Sequence, residues 1–207
     1  MPYKLDVTSL NAALAHIPDG GYTGEIHTEV KRLLLGAEAL IDLQATPDPQ
    51  LSPGEHRRRV ADSGKNFQNE VVAARYRIQS NAKSALDEIA GRIAENVRLI
   101  PDHSAPEVRT RFRDMDSTDQ EKLLRDLIDG NRASELAALT ECPALMSGLS
   151  AELQTKFRKA FIEKYAPAEL DDRIVVLEAL NNAVSAADDA AKIAKFMARG
   201  RPVLARR

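Results

Sequence analysis

Four histidines are the first residues in this chain that suggest metal binding or acid–base catalysis: His16, His27, His56 and His103. They fall on separate predicted elements, and none has the close spacing of a zinc-binding motif such as H-E-x-x-H. His56 follows Glu55 in the first turn of a long predicted helix. The pattern predicts solvated histidines rather than a metal site.

The acidic segment 114–119 has the composition of the beginning of a calcium loop. Such a loop requires oxygen ligands at positions one, three and five, glycine at position six and glutamate at position twelve. Position six here is Asp119 and position twelve is Arg125. We therefore interpret the segment as acidic N-caps between two helices.

Two further features are weak candidates for chemistry. The glycine-rich segment 20–24 precedes a predicted helix, where a phosphate can bind backbone N–H groups. No strand precedes it and no Gly-Lys-Ser follows, so a turn is the better interpretation. Cys142 stands between Glu141 and Pro143 without an adjacent cation to activate it, which predicts a buried or half-buried thiol. We expect no catalytic residue, no metal and no cofactor, and hence a protein that is not an enzyme.

The composition favours helices that pack closely through small side chains. Of the 207 residues, 43% are hydrophobic but only 4% are aromatic, and tryptophan is absent. Ligand pockets are usually lined with aromatic groups, so we expect no small-molecule substrate. The net charge of −2 excludes a uniformly polybasic nucleic-acid binder. The single cysteine and the absence of a membrane-length apolar run predict a soluble protein of the cytoplasm, or of a virion if phage-encoded.

The predicted fold is all-α, with two long helices at about 53–99 and 168–199. The first begins at Ser52-Pro53-Gly54-Glu55, which has the form of a capping box with proline at the first helical position. The predicted divisions are an N-terminal helical segment (1–50), the long helix (51–100), a bundle of short helices (101–166), the C-terminal long helix (167–199) and a basic tail (200–207).

The first long helix carries its apolar residues at a spacing of eleven. One row is Phe67, Ile78, Ile89 and Ile100, and the other is Val60, Val71, Ala82 and Ile93. An eleven-residue repeat corresponds to 3.67 residues per turn, which keeps the apolar row nearly straight. So long a row must be covered by another part of the chain or by another molecule. We expect another molecule to cover it.

The second long helix has a seven-residue repeat, as in a coiled coil. Its row consists of Leu170, Leu177, Val184, Ala191 and Ala198. The residues expected at interfaces with other copies or other proteins are therefore Val60, Phe67, Val71, Ile78, Ile89, Ile93, Ile100, Leu170, Leu177 and Val184.

Cations cluster at two places in the sequence. Arg57, Arg58 and Arg59 lie near the start of a helix, where positive charge opposes the helix dipole. This placement indicates a compensating anion, either a carboxylate of the chain, an acidic partner or a phosphate backbone. From Lys192 onward all charged side chains are positive, and the tail contains Arg201, Arg206 and Arg207. The tail is expected to dock on a neighbouring subunit, with nucleic acid as the alternative.

In general style the chain resembles helical virion and assembly proteins of tailed bacteriophages, of the connector, portal-associated or scaffolding type. The resemblance rests on the long capped helix 53–99, the balanced Ala/Arg/Glu-rich composition and the basic arm 200–207. It implies a non-enzymatic structural protein that forms a homo-oligomer or docks on a larger complex through its long helices. The alternative is a nucleic-acid-associated protein that uses Arg57–Arg59 and the C-terminal arm.

Overall fold

The protein is all-α, as predicted. The computed structural model describes residues 6–199, and no strand is present in this range. The helices are α1 (Thr8–Ala15), α2 (Gly24–Ala45), α3 (Pro53–Val97), α4 (Ala105–Arg113), α5 (Ser117–Asp129), α6 (Ala133–Thr140), α7 (Ala144–Ser147), α8 (Ala151–Tyr165) and α9 (Pro167–Ala198), with a 3₁₀ turn at Gly21–Thr23. The predicted tail 200–207 lies outside the described residues.

The chain forms two compact units that divide both long helices. The first unit contains residues up to Leu86 together with residues from Arg173 onward, and the second unit is Asp87–Asp172. Hence α3 supplies residues 53–86 to the first unit and 87–97 to the second. The linear divisions drawn from the sequence took each long helix as one piece, and they stay a prediction.

The eleven-residue period of α3 is confirmed by burial. Between residues 60 and 89 its buried apolar residues are Val60, Phe67, Val71, Ala74, Ile78, Ala82, Ala85 and Ile89, each at most 8% exposed, and Val97 is buried at the end of the helix. The row is already covered in the isolated chain. The expectation that another molecule must cover it is therefore wrong for residues 60–89.

The buried row of α9 has the predicted seven-residue period but lies one position earlier than predicted. It runs through Val176, Ala183, Ala190 and Met197, with Ala179, Ala186, Ala187, Ile193 and Ala194 beside it. The prediction followed the largest aliphatic side chains, whereas the packed surface consists mainly of alanine. The reason is the close approach of α9 to α3. A Cβ atom added at Gly64 would lie 2.6 Å from the backbone nitrogen of Ala198.

The contacts along α3 define the direction of its neighbours in the first unit. Gly64 lies against Met197 and Ala198, and Arg75 is paired with Asp188. As the residue numbers increase along α3, the numbers of the facing residues in α9 decrease. The two helices are therefore antiparallel. Phe67 likewise lies against Gly36 of α2, and Arg77 bonds Glu29, so α2 is also antiparallel to α3.

The core of the second unit contains large side chains from several short helices. Phe112, Leu124, Leu136 and Phe161 are fully buried or nearly so within it. Phe157 and Phe161 lie one turn apart on α8 and both are buried. Helix α6 packs against α4, α5 and α8, which places it at the centre of this unit.

Two glutamine side chains bond backbone carbonyls at or near helix ends in the second unit. The Gln120 amide donates to the carbonyl of Phe112 (2.9 Å), and the Gln154 amide donates to the carbonyls of Leu139 and Cys142 (both 2.9 Å). Helix C-termini leave carbonyls without intrahelical partners, and the glutamines supply partners at the ends of α4 and α6 and in the turn before α7.

The capping predictions were partly correct. The Ser52–Glu55 box is present: Ser52 N donates to Glu55 Oε2 (2.9 Å) and Glu55 N donates to Ser52 Oγ (3.3 Å). These hydrogen bonds hold the pKa of Glu55 below its usual value. Ser150 caps α8, where its side chain accepts a hydrogen bond from Leu153 N.

Two polar residues that precede helices do not act as N-caps. The Ser104 hydroxyl does not cap α4, because it bonds the Asp102 carboxylate, which lowers the pKa of Asp102. Asn131 adopts a left-handed conformation (φ 53°), and α6 begins two residues later.

The close approach of α9 at Gly64 leads to a prediction about the stability of a Gly64→Ala variant. Alanine at Gly64 adds a methyl group against backbone atoms, and overpacking of this kind costs about 1–3 kcal/mol. The gain in helix propensity is only about 1 kcal/mol, so we expect Gly64→Ala to lower the free energy of unfolding.

Gly91 provides a matched control, since it lies in the same helix with no atom within 4 Å of an added Cβ. Gly91→Ala should stabilise by roughly 0.5–1 kcal/mol. Urea unfolding followed by circular dichroism measures both changes. If Gly64→Ala were as stable as Gly91→Ala, the tight α3–α9 packing would be refuted.

Candidate interaction surfaces

The histidines do not converge within residues 6–199. His16 and His103 are exposed, and His27 Nδ1 lies 3.4 Å from Asp19 Oδ1. His56 is only 9% exposed, contrary to its predicted solvated position, because it lies one turn before Val60 on the buried side of α3. Neither His56 ring nitrogen has a hydrogen-bond partner in this part of the chain. No group of three metal-binding side chains occurs among the described residues.

The other chemical candidates have structural roles. The Asp116 carboxylate accepts hydrogen bonds from the backbone nitrogens of Thr118 and Asp119 (both 2.9 Å), which confirms an acidic N-cap. Gly20 and Gly21 have positive φ and form the turn before α2. The Cys142 thiol is half-buried, as predicted, and donates to the carbonyl of Ala138 at 3.3 Å.

A buried carboxylate in the first unit was missed by sequence reasoning. Glu29 is 5% exposed and accepts hydrogen bonds from Arg32 Nη1 (2.7 Å) and Arg77 Nε (2.8 Å). Arg77 also bonds Glu70 (2.8 Å), and its pKa is raised chiefly by the hydrogen bond to Glu29. The available signal was the position of Glu29, which falls on the apolar side of α2 between Ile26 and Leu33.

The predicted interface residues are found in three different environments. Five are buried within the chain: Val60, Phe67, Val71, Ile78 and Ile89. Two are partly buried, Ile93 and Leu170, and Ile93 packs against the core of the second unit. Three are exposed: Ile100 (70%), Leu177 (39%) and Val184 (39%). Ile100 is exposed because α3 has ended three residues before it.

The exposed residues of α9 have exposed apolar neighbours on α3. Val72 is 54% and Tyr76 is 71% exposed, and they lie one turn apart on α3. Arg75 lies between them in sequence and forms an ion pair with Asp188, which is one turn after Val184. The antiparallel pairing thus brings Val72, Tyr76, Val184 and Leu177 onto one side of the two helices. We call these four residues the α3/α9 outer face.

The same antiparallel pairing brings the two cationic groups of the sequence together. Gly64 lies against the end of α9, so the first turns of α3 and the last turns of α9 are at the same end of the first unit. Exposed cations at this end are Arg57, Arg58, Lys65, Lys195 and Arg199. We call this set the basic end. Arg201, Arg206 and Arg207 lie outside the described residues.

Part of the predicted compensation for the arginines comes from the chain itself. Arg59 Nη1 lies 3.4 Å from the carboxylate of Asp48, and Arg57 Nε donates to the carbonyl of Pro53 at 3.2 Å. Lys65 lies 3.4 Å from Asp62. Arg58, Lys195 and Arg199 have no carboxylate partner within residues 6–199.

The second unit exposes a separate apolar group around α7. Leu145 is 91%, Met146 48% and Leu153 40% exposed. Helix α7 ends at Gly148, whose φ of 79° favours glycine. An open depression also lies along α4, lined by Pro106, Glu107, Thr110, Arg111, Asp114 and Met115.

Comparison with known proteins gives no assignment. No protein family, no curated protein and no solved structure matches the chain. No helix within the described residues is both long and apolar enough to cross a membrane.

Two adjacent valines of α3 belong to different environments: Val71 lies in the core and Val72 lies on the outer face. Val71 is 2% exposed and Val72 is 54% exposed. Val71→Ser should lower the free energy of unfolding by about 2–4 kcal/mol, because it removes buried methyl groups and buries a hydroxyl. Val72→Ser should change it by no more than about 0.5 kcal/mol. Equal losses for the two variants, measured by urea unfolding, would show that Val72 is covered.

Proposed function

We propose that this protein is a non-enzymatic assembly protein that associates with a second copy of itself through the α3/α9 outer face. The observation that carries the proposal is the clustering of Val72, Tyr76, Leu177 and Val184 on two paired helices. Single exposed apolar residues are normal on soluble proteins, whereas a contiguous apolar patch is typical of an interaction site.

The arrangement of the outer face favours a second copy over an unrelated partner. Two paired helices packed on two paired helices form a four-helix arrangement, which is a common and stable solution for amphipathic helices. The Arg75–Asp188 ion pair displays both signs of charge beside the apolar residues. Under two-fold symmetry each patch meets its own copy, so a patch with both charges is self-complementary.

The proposal retains the predicted role of Leu177 and Val184 but replaces the α3 residues. Val60, Phe67, Val71, Ile78 and Ile89 are omitted because they are buried in the isolated chain. Tyr76 and Val72 take their place. Membership of a bacteriophage virion stays a prediction, since the comparisons neither support nor oppose it.

Sedimentation equilibrium between about 1 and 100 µM tests the proposal. The unaltered chain should show a monomer–dimer equilibrium. The Tyr76→Ser/Val184→Ser variant should dimerise at least about 10-fold more weakly, since 1.4 kcal/mol of lost apolar contact is sufficient for that change. Circular dichroism checks that the variant is folded.

Two exposed leucines outside the outer face serve as controls. Leu35 on α2 is 56% exposed, and Leu145 on α7 is 91% exposed. Leu35→Ser and Leu145→Ser should each leave the dimerisation constant within about 2-fold. A monomer at 100 µM would overturn the proposal. So would a dimer that is lost with Leu145→Ser and retained with Tyr76→Ser/Val184→Ser.

A further inference from the structure

We infer that the basic end of the first unit is a binding site for the phosphate backbone of duplex nucleic acid. The inference rests on a juxtaposition that the fold creates. Arg57 and Arg58 are separated from Lys195 and Arg199 by more than 130 positions in the sequence, yet they lie at one end of the α3–α9 pair.

The dimensions of the basic end suit a nucleic-acid backbone. With Gly64 facing Ala198 and Arg75 facing Asp188, Lys195 lies at the level of residues 67–68 of α3. At 1.5 Å per residue, the cations from Arg57 to Lys195 span about 16 Å along the helices. Duplex DNA carries one charge per about 1.7 Å of axis, so several phosphates fall within this span.

The cations are also on one side of the helix pair. At 100° per residue, Arg58 and Lys65 fall on the same side of α3 as Val72 and Tyr76, and Arg57 lies toward α9. Lys195 occupies the same side of α9 as Leu177 and Val184, with Arg199 one turn further. The basic end therefore continues the outer face and presents a single surface.

The chemistry of these side chains favours phosphate over the other anionic partners. Three of the four residues without a carboxylate partner nearby are arginines, whose planar guanidinium groups match phosphate oxygens with two hydrogen bonds. Stacking on bases requires aromatic side chains, and Arg57, Arg58, Lys195 and Arg199 supply none, so the duplex backbone is preferred over single strands.

Fluorescence anisotropy with a labelled 25-base-pair duplex at 50, 100 and 200 mM NaCl tests the inference. With about four phosphate contacts, the logarithm of the binding constant should fall with a slope near −3.6, or roughly 100-fold between 50 and 200 mM salt. The Arg58→Gln/Arg199→Gln variant should reduce the slope by about 2 and weaken binding at least 10-fold at 100 mM salt.

The control removes equal charge elsewhere in the same unit. Lys31 on α2 and Arg173 on α9 are both exposed and lie away from the basic end. The Lys31→Gln/Arg173→Gln variant should bind within 2-fold of the unaltered chain. The dimerisation variant Tyr76→Ser/Val184→Ser should still bind, which keeps this inference distinct from the proposed self-association.

Four results with the full chain would overturn the inference. They are no measurable binding at 50 mM salt, equal weakening by the Lys31→Gln/Arg173→Gln control, tighter binding to a single strand of the same length, and tighter binding to vesicles containing 30% phosphatidylserine. A chain ending at Arg199 should keep the dependence on Arg58 and Arg199. Complete loss of binding in that shortened chain would place the site in the C-terminal arm instead.

Discussion

The first unit depends on the close approach of α3 and α9. Gly64 has no side chain, and the facing row of α9 is mostly alanine, so the two helix axes can come near each other. Small residues bury little apolar area each, and the unit compensates with many of them along a long contact. The row that faces the core is mostly alanine, with Val176, Ile193 and Met197, and Leu177 and Val184 lie outside it. The apolar outer face is a consequence of this packing.

The position of α2 along α3 is determined by different means. Phe67 lies against Gly36, and the Glu29 carboxylate bonds Arg77 across the two helices. A buried carboxylate without its partners would be costly, so Glu29 disfavours any sliding of α2 that separates it from Arg77. The packing of the Phe67 ring against Gly36 and the Arg77–Glu29 ion pair thus specify one register of α2 along α3. The alanine row of α9, in contrast, determines mainly how closely α9 approaches α3.

The sequence was sufficient to predict the helical class, the eleven-residue period of α3 and the capping box at Ser52–Glu55. These features are local or strictly periodic, so they can be read without knowing the partner helix. The register of α9 could not be read in the same way, because the choice between Leu177 and Val176 depends on how near α3 comes. The burial of Phe67 and Ile78 within the chain is likewise a property of the tertiary structure, which the periodicity of the sequence does not predict.

The surface of the first unit follows from the same antiparallel pairing. One register places Tyr76 near Val184, and Arg57 and Arg58 lie about 9–11 Å along α3 beyond the level of Ala198, at the end of the unit where α9 ends. Apolar and cationic residues of distant sequence segments therefore lie along one side. Each segment alone has an ordinary explanation: lysine and arginine suit a helix C-terminus, and scattered valines are common on surfaces. Their convergence is not explained by local stability, because Arg57 and Arg58 oppose the dipole of their own helix. The placement of Arg57 and Arg58 against the preference of their own helix is what the proposed contact with a phosphate backbone accounts for.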